Sequence, residues 1–598
     1  MFAAKNSFVL RYSTVFFSKR SDYPTKADQS AQAGLFPGSV EKSPVFAGLC
    51  IFLLAIPIFI YYQTLFKNAY NFPYEDDFNS ALGFIFDYEY GGLDAWGKLK
   101  LIFSQYNEHR IVFNRLIFLA DYALFGELNF KHLILFGNLP MILIGIIFIK
   151  VSFPRLPVYQ KLVYLLPVAY SLFLFQYWEL ATWGMAALSN LYVVVFAMIS
   201  LYCLLQPGKG AFILACIAAV VATFTIGSGM FSFIAGIPLL ILLKAYRKLI
   251  IWVILAAITL GLYFVDYTRP PYHPDVVDSL VNHTGRAISY FFTLVGSMTG
   301  ITRPKLAILF GVLLVLVTLG LVGYLWYKKR IMDHLPVLGW LLFLYLTCLS
   351  LMASRSGMGV EQAFSPRYGI VVVMLFACQA ILALEVFTQR FLRLGLLAAY
   401  FGIALFVYVS ATNQGNRQRI VDRTRQLQYS TAFFNDNPKN LFLHWGSPGI
   451  AEPIFRNVIQ KSLYKLPNLT FRDLKSAPHS FDSTKLVATN TITSEVKPFS
   501  THEFLVLYRS WALVNNGLPK NTTIQLIAQS AGTSYTFDTH KQIWDDITDR
   551  TLGRQYTYPG FSCVVDKKDL KPGHYVLWLC LTDGESTSYQ QLDATMDV

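Results

Sequence analysis

Long apolar runs separated by short polar segments fill the chain as far as residue 411, and beyond it the pattern changes. Runs long enough, or nearly so, to cross a bilayer fall at about 45–66, 132–150, 158–178, 183–206, 210–227, 230–246, 248–265, 304–327, 335–353, 367–388 and 393–411. Two further stretches, 111–127 and 286–302, are ambiguous. The first carries Arg115 and Asp121 on an otherwise apolar segment, which suits an interfacial or re-entrant helix facing protein. If neither stretch crosses, the two chain ends lie on opposite sides; if both do, the loops between them are inverted.

After residue 412 comes a polar, Arg-rich segment and then short alternating runs, such as Glu503–Tyr508, Thr523–Ala528 and His574–Leu579, bounded by Gly, Pro, Asn and Asp. That alternation predicts half-buried strands of an antiparallel sandwich. The predicted fold class is an α-helical polytopic membrane protein of about 11–13 transmembrane helices with a C-terminal all-β sandwich. Its expected parts are a basic tail (1–44), a transmembrane domain (45–411) whose first extracytoplasmic loop spans 67–131, a linker (412–430) and an extracytoplasmic sandwich (431–598).

A formal charge of +14 would suggest nucleic acid as the partner of a soluble protein. Here the cations sit in short loops between apolar runs, as in Lys150/Arg155/Lys161, Lys244/Arg247/Lys248, Lys328/Lys329/Arg330 and Arg390/Arg393. The positive-inside rule reads those clusters, and the basic tail, as cytoplasmic, and no basic face interleaved with aromatics remains for nucleic acid. The tail is acid-poor, as transit peptides are, but the apolar run after it is too long for a signal core, so it is read as retained. Five of the seven cysteines lie inside apolar runs. Cys563 and Cys580 lie in the strand region and read equally as a disulfide or as two buried thiols.

The candidate chemistry lies in the first polar loop, with Glu75, Asp76 and Asp77 followed by Asn107, Glu108, His109 and Arg110. Carboxylates, an imidazole and a guanidinium at the mouth of so apolar a chain mark a functional site. With neither ambiguous stretch crossing, this loop shares one extracytoplasmic side with Trp178, Glu179 and Trp183, with Gly227–Gly229, with His273, His283 and Arg286, and with Arg355, Arg367 and Tyr368. A carboxylate near the bilayer can act as general base toward a hydroxyl while arginines stabilise a departing phosphate. Adjacent residues on an extended chain point in opposite directions, so only one of Asp76 and Asp77 should face the substrate. Asp76, Asp77 and His109 could also bind a divalent metal, although their spacing says little for it.

The Asp-Asp pair after the first span, the further spans and the C-terminal soluble domain together resemble the GT-C glycosyltransferases, the group that includes protein O-mannosyltransferases and lipid A aminoarabinose transferases. The resemblance covers residues 45–411 in architecture and only short pieces in motif. It implies catalysis by Asp76 or Asp77 and a sugar donor linked to a polyprenyl phosphate. It also implies a glycan, lipid or protein acceptor, no firmly required cofactor, and residence in a bacterial cytoplasmic membrane. A transporter, flippase or polymerase of lipid-linked glycans is the competing expectation. A transporter should carry ionisable groups near the bilayer midplane, where these runs are nearly uncharged.

Overall fold

The computed structural model describes residues 43–598 except 272, 301–302, 414, 437–447, 490, 515–521, 544–558 and 585, so the basic tail lies outside the described residues. The described residues form two compact units, one drawn from Met1–Ala69, Glu75–Gln414 and Gln460–Tyr464, the other from Tyr70–Tyr74, Gly415–Ile459 and Lys465–Val598.

The first unit is helical. It begins with α1 (Pro44–Asn68), two short helices α2 (Phe84–Tyr90) and α3 (Ala95–Phe103), and α4 (Val112–Phe125). Next come the successive α5 (Phe130–Gly137) and α6 (Leu139–Val151), the short α7 (Val158–Tyr164) and α8 (Leu166–Leu172), and α9 (Gly184–Leu204). The remainder is α10 (Lys209–Thr223), α11 (Phe231–Leu242), α12 (Tyr246–Phe264), α13 (Thr284–Gly296), α14 (Pro304–Tyr327), α15 (Leu335–Arg355), α16 (Gly369–Val386) and α17 (Arg390–Asn413). Among the described residues eight helices are long and apolar enough to cross a membrane, with α10 and Gly227–Leu242 as shorter apolar helices. The run at 158–178 is broken because Pro167, near the start of α8, supplies no backbone N–H to continue α7. This is an integral membrane protein.

The ambiguous stretch 111–127 is α4. Its first residues follow Arg110, which hydrogen-bonds the carbonyl of Tyr263 at the end of α12, and its last, Phe125, packs on His132 in the first turn of α5. Inside α4, Arg115 donates to the carbonyls of Leu101, Ile102 and Ser104 at 2.6–3.0 Å, and Asp121 accepts from the Asn129 amide at 2.8 Å and faces His132 Nδ1 at 3.0 Å. The second ambiguous stretch is α13, which crosses α14 with the backbones in contact. A Cβ on Gly296 would stand 1.8 Å from the Ala307 carbonyl oxygen, and one on Gly311 2.0 Å from that of Phe292. Only glycine admits that approach.

Helix α16 is buried along its whole length and forms the centre of the bundle. At mid-height Gln379 donates to Leu314 O and Thr318 Oγ1, Thr318 meets Tyr345 Oη at 2.8 Å, and Tyr400 Oη donates to Gln379 at 3.3 Å. This uncharged network ties α14, α15, α16 and α17 together where no water competes. At the lower end of α16, buried Glu385 accepts from the Phe153 amide at 2.6 Å and faces His334 Nδ1 at 3.0 Å.

The second unit holds α18 (Asn416–Asp436), α19 (Pro448–Gln460), α20 (Phe471–Leu474) and ten strands among the described residues: β1 (Pro478–Ser480), β2 (Ile492–Glu495), β3 (Pro498–Ser500), β4 (Phe504–Val514), β5 (Thr523–Ser530), β6 (Thr533–Asp538), β7 (His540–Gln542), β8 (Gly560–Asp566), β9 (His574–Asp583) and β10 (Ser586–Asp597). They form two antiparallel sheets, β1-β6-β5-β9-β10 and β2-β4-β8-β7, with β3 on β4. Alternate residues of β9 (Tyr575, Leu577, Leu579, Leu581) and β5 (Ile524, Leu526, Ala528) meet Leu505, Leu507, Phe561 and Val565 in the core between the sheets. The opposite face of β4 and β8, with Phe504, Val506, Tyr508 and Val564, packs on Tyr429, Ala432 and Phe433 of α18.

One expectation gains detail here, and one pair of open readings is decided. The segment read as a linker, 412–430, lies largely in α18, whose apolar face is needed to cover β4. Cys563 and Cys580 are free buried thiols rather than a disulfide. They lie on strands of different sheets, and Cys563 faces the core between the sheets whereas the alternation of β9 turns Cys580 to the other side.

Replacing Gly296 or Gly311 by alanine is expected to destabilise the protein by about 1–3 kcal/mol, since backbone must move to admit the methyl group. Gly320→Ala, in the same helix with open space around it, should leave the melting temperature in detergent unchanged.

Candidate active site

Glu75, with a left-handed φ of 48°, turns the chain after α1 so that Asp76 and Asp77 diverge. Asp77 is buried, and its Oδ1 accepts the Met185 amide at 2.9 Å. It thereby caps the first turn of α9, where helix amides lack intrahelical partners and favour negative charge. Asp76 turns the other way, into a cavity, and its Oδ1 accepts the Tyr106 hydroxyl at 3.0 Å.

Tyr106 and His109 close a tight loop through two backbone hydrogen bonds of 2.7 and 2.9 Å. Asn107 takes the left-handed conformation at its tip, φ 49°, which asparagine tolerates well. The loop sends Tyr106 to Asp76 and Glu108 to the end of α15. There Glu108 pairs with Arg355 and approaches His273 Nε2 at 3.3 Å and His109 Nε2 at 3.5 Å. Arg355 Nη1 lies 3.0 Å from His273 Nδ1, so a neutral His273 can accept there and donate to Glu108. Arg367 pairs with Glu179 at 3.6 Å and lies over the ring of Trp183, with 5.4 Å to its centroid.

Burial pushes the Asp76 carboxyl above its ordinary value, and the charge of Glu108 adds to the rise, while the Tyr106 hydroxyl and Arg367 partly offset it. Burial also opposes ionisation of Glu108, but His109, Arg355 and His273 outweigh it and hold that carboxyl below the usual range. Burial lowers both His109 and His273, against the pull of Glu108, which keeps them neutral near pH 7.

These groups line a polar chamber of about 210 Å³, in which Asp76, Tyr106, Glu108, Asn190, Arg355 and Arg367 face one another. Through Glu108, Asn190, His273, Arg355 and Tyr368 it shares a wall with a larger chamber of about 480 Å³. That second chamber is mostly apolar, walled by Val193, Val194, Phe231, Phe264, Phe343, Leu351 and Val371. A carboxylate able to take a proton and two guanidiniums able to hold an anion thus line the polar chamber, and one of them, Arg355, also lines the apolar chamber beside it.

Of the residues singled out from the sequence, Asp76, Asn107, Glu108, His109, Trp183, His273, Arg355, Arg367 and Tyr368 line the polar chamber. Glu179 supports it through Arg367. Asp77 belongs to the helix cap, so the set Asp76, Asp77 and His109 does not assemble; among the described residues no group of three or more His, Cys, Asp or Glu is arranged to hold a metal ion. Arg110 is buried away from the chamber, donating to the carbonyls of Phe103, Tyr263 and Val265. Glu75, Trp178, His283 and Arg286 line neither chamber, and the exposed His283 faces Asp278 at 3.8 Å. Sequence reasoning passed over Tyr106 and Asn190. Adjacency to Asn107–Arg110 was the available signal for Tyr106, whereas Asn190 lies mid-helix with none. Comparison of the chain with protein-family models, with curated proteins and with solved structures gives no match.

Glu108→Gln removes the carboxylate between Arg355 and two imidazoles and should cost about 1–3 kcal/mol in thermal melts. In the native protein the depressed Glu108 adds stability that is fully present above its ordinary value near ~4.3 and disappears as pH falls through its folded value. The variant should therefore lose less stability on acidification over that window.

Proposed function

We propose that the protein is an integral-membrane glycosyltransferase of the GT-C kind. It would take a sugar from a polyprenyl-phosphate donor and pass it to a hydroxyl of a cell-envelope glycan, lipid or protein. In this reading the Asp76 end of the bundle is extracytoplasmic, in keeping with the basic loops assigned to the other side. The apolar chamber takes the first isoprene units and the polar chamber takes phosphate and sugar. Asp76 accepts the proton of the acceptor hydroxyl as its oxygen bonds to the anomeric carbon. The bond from that carbon to the phosphate oxygen breaks with its electron pair, and Arg355 and Arg367 donate to the departing phosphate. The observation that carries the reading is a polar chamber holding Asp76 and Arg367, with Arg355 on the wall it shares with an apolar chamber. Passage of a lipid-linked sugar through the bundle is the less favoured reading, because the mid-height groups Gln379, Thr318, Tyr345 and Tyr400 carry no charge.

Purified protein given a radiolabelled polyprenyl-phosphate sugar and envelope acceptors is expected to form labelled product. Asp76→Asn should lower the rate by about 10²–10⁴ while keeping the fold. Asp77→Asn should lower the melting temperature and retain transfer. Loss of transfer in the Asp77 variant alone would overturn the assignment, and movement of label across vesicles with no new glycosidic bond would favour a transporter.

Because the Asp76 carboxyl is raised, a base at this position fails as pH falls through a value above the ordinary ~4 of an aspartate. The acid limb of the pH–rate profile should lie there. Arg367→Gln removes a charge that lowers Asp76, so that limb should move to higher pH; an unmoved limb would assign the ionisation to another group.

A further inference from the structure

Helix α3 has no buried residue, although it contains Trp96, Leu99 and Phe103. Their exposures are 61%, 43% and 40%, and at this spacing the three side chains share one face of the helix. Lys100 lies on the same side with its ammonium over the Trp96 ring, 5.5 Å from the centroid, while Lys98 stacks on Tyr88 at 4.4 Å. An aromatic and aliphatic face edged by lysines matches the boundary between phospholipid headgroups and acyl chains, where tryptophan and snorkelling lysine are both favoured.

The position of α3 supplies a second argument. The carbonyls of Leu101, Ile102 and Ser104 are held by Arg115, and that of Phe103 by Arg110, which fastens the end of α3 to α4 and to the end of α12. Exposed apolar side chains are also found on α1, at Phe59 and Phe66, and on α4, at Leu116, Leu124 and Phe125. The helix thus sits at the end of the bundle that holds the two chambers, level with the end of the membrane-crossing α12.

We propose that α3 lies in the interfacial layer of the leaflet at the chamber end, with Trp96, Leu99 and Phe103 entering the acyl boundary and Lys100 meeting headgroup phosphate. Gln105–His109, the loop that carries Tyr106 and Glu108, follows α3 directly, so this contact sets the height of that loop relative to the bilayer. The inference does not depend on the transferase reading.

The test uses the full-length protein in phosphatidylcholine vesicles, in a Cys216→Ser background. The six remaining native thiols are buried. Nitroxide labels are placed on Trp96→Cys, Leu99→Cys and Phe103→Cys, with Phe59→Cys as lipid reference and Lys485→Cys as aqueous reference. The ratio of relaxation by oxygen to relaxation by a water-soluble nickel chelate should be roughly threefold or more above that of the aqueous reference at all three positions, consistent with a depth of about 5–10 Å. Ratios equal to the aqueous reference would overturn the proposal by placing the helix in water. Shielding from both relaxants would overturn it by showing that protein covers the face.

Discussion

A single buried carboxylate does most to order the chamber end of this protein. Asp77 accepts the Met185 amide and so ends the chain's exit from α1 against the first turn of α9. A carboxylate taken out of water needs donors, and the start of a helix presents amides and a partial positive charge together. Once Asp77 is committed there, Asp76 must diverge, because the turn opened by the left-handed Glu75 separates the two side chains. The cavity therefore receives one aspartate, held by the Tyr106 hydroxyl.

Charge around that aspartate is nearly balanced. Arg355 faces Glu108 and Arg367 faces Glu179, which lets two guanidiniums line the polar chamber without an uncompensated charge. Arginine has donors to spare beyond one carboxylate, so each can still bind an anion. The two histidines complete the arrangement as neutral groups, supplying one donor and one acceptor where a further cation would be costly.

The bundle supports this end by uncharged means. Close backbone contact between the end of α13 and the start of α14, and the Gln379 network through four helices, hold the bundle where lipid offers no hydrophobic drive for helices to associate. At the far end Glu385 and His334 pair in a buried site that touches neither chamber. Charged pairs thus stand at the two ends, with the uncharged Gln379 network between them.

Much of this was legible in order along the chain. Apolar runs a bilayer thick, cations confined to short loops and period-two alternation after residue 412 are local signals, and each reflects a solvent that the segment must meet. The acidic pair, Glu108, Arg355 and Arg367 stood out because charge is conspicuous in an apolar chain. What the pattern could not decide was direction and partnership. That Asp77 caps a helix over a hundred residues away, that Arg110 binds three carbonyls, and that Cys563 and Cys580 belong to different sheets all depend on contacts between distant segments. The helix at 416–436 was hidden for the same reason: its few apolar residues gain their meaning only from the exposed face of β4 that they cover. Local chemistry determined which elements form and which residues are unusual; tertiary packing alone decided which of those residues share a cavity, because side-chain direction is set by the neighbours that must be satisfied.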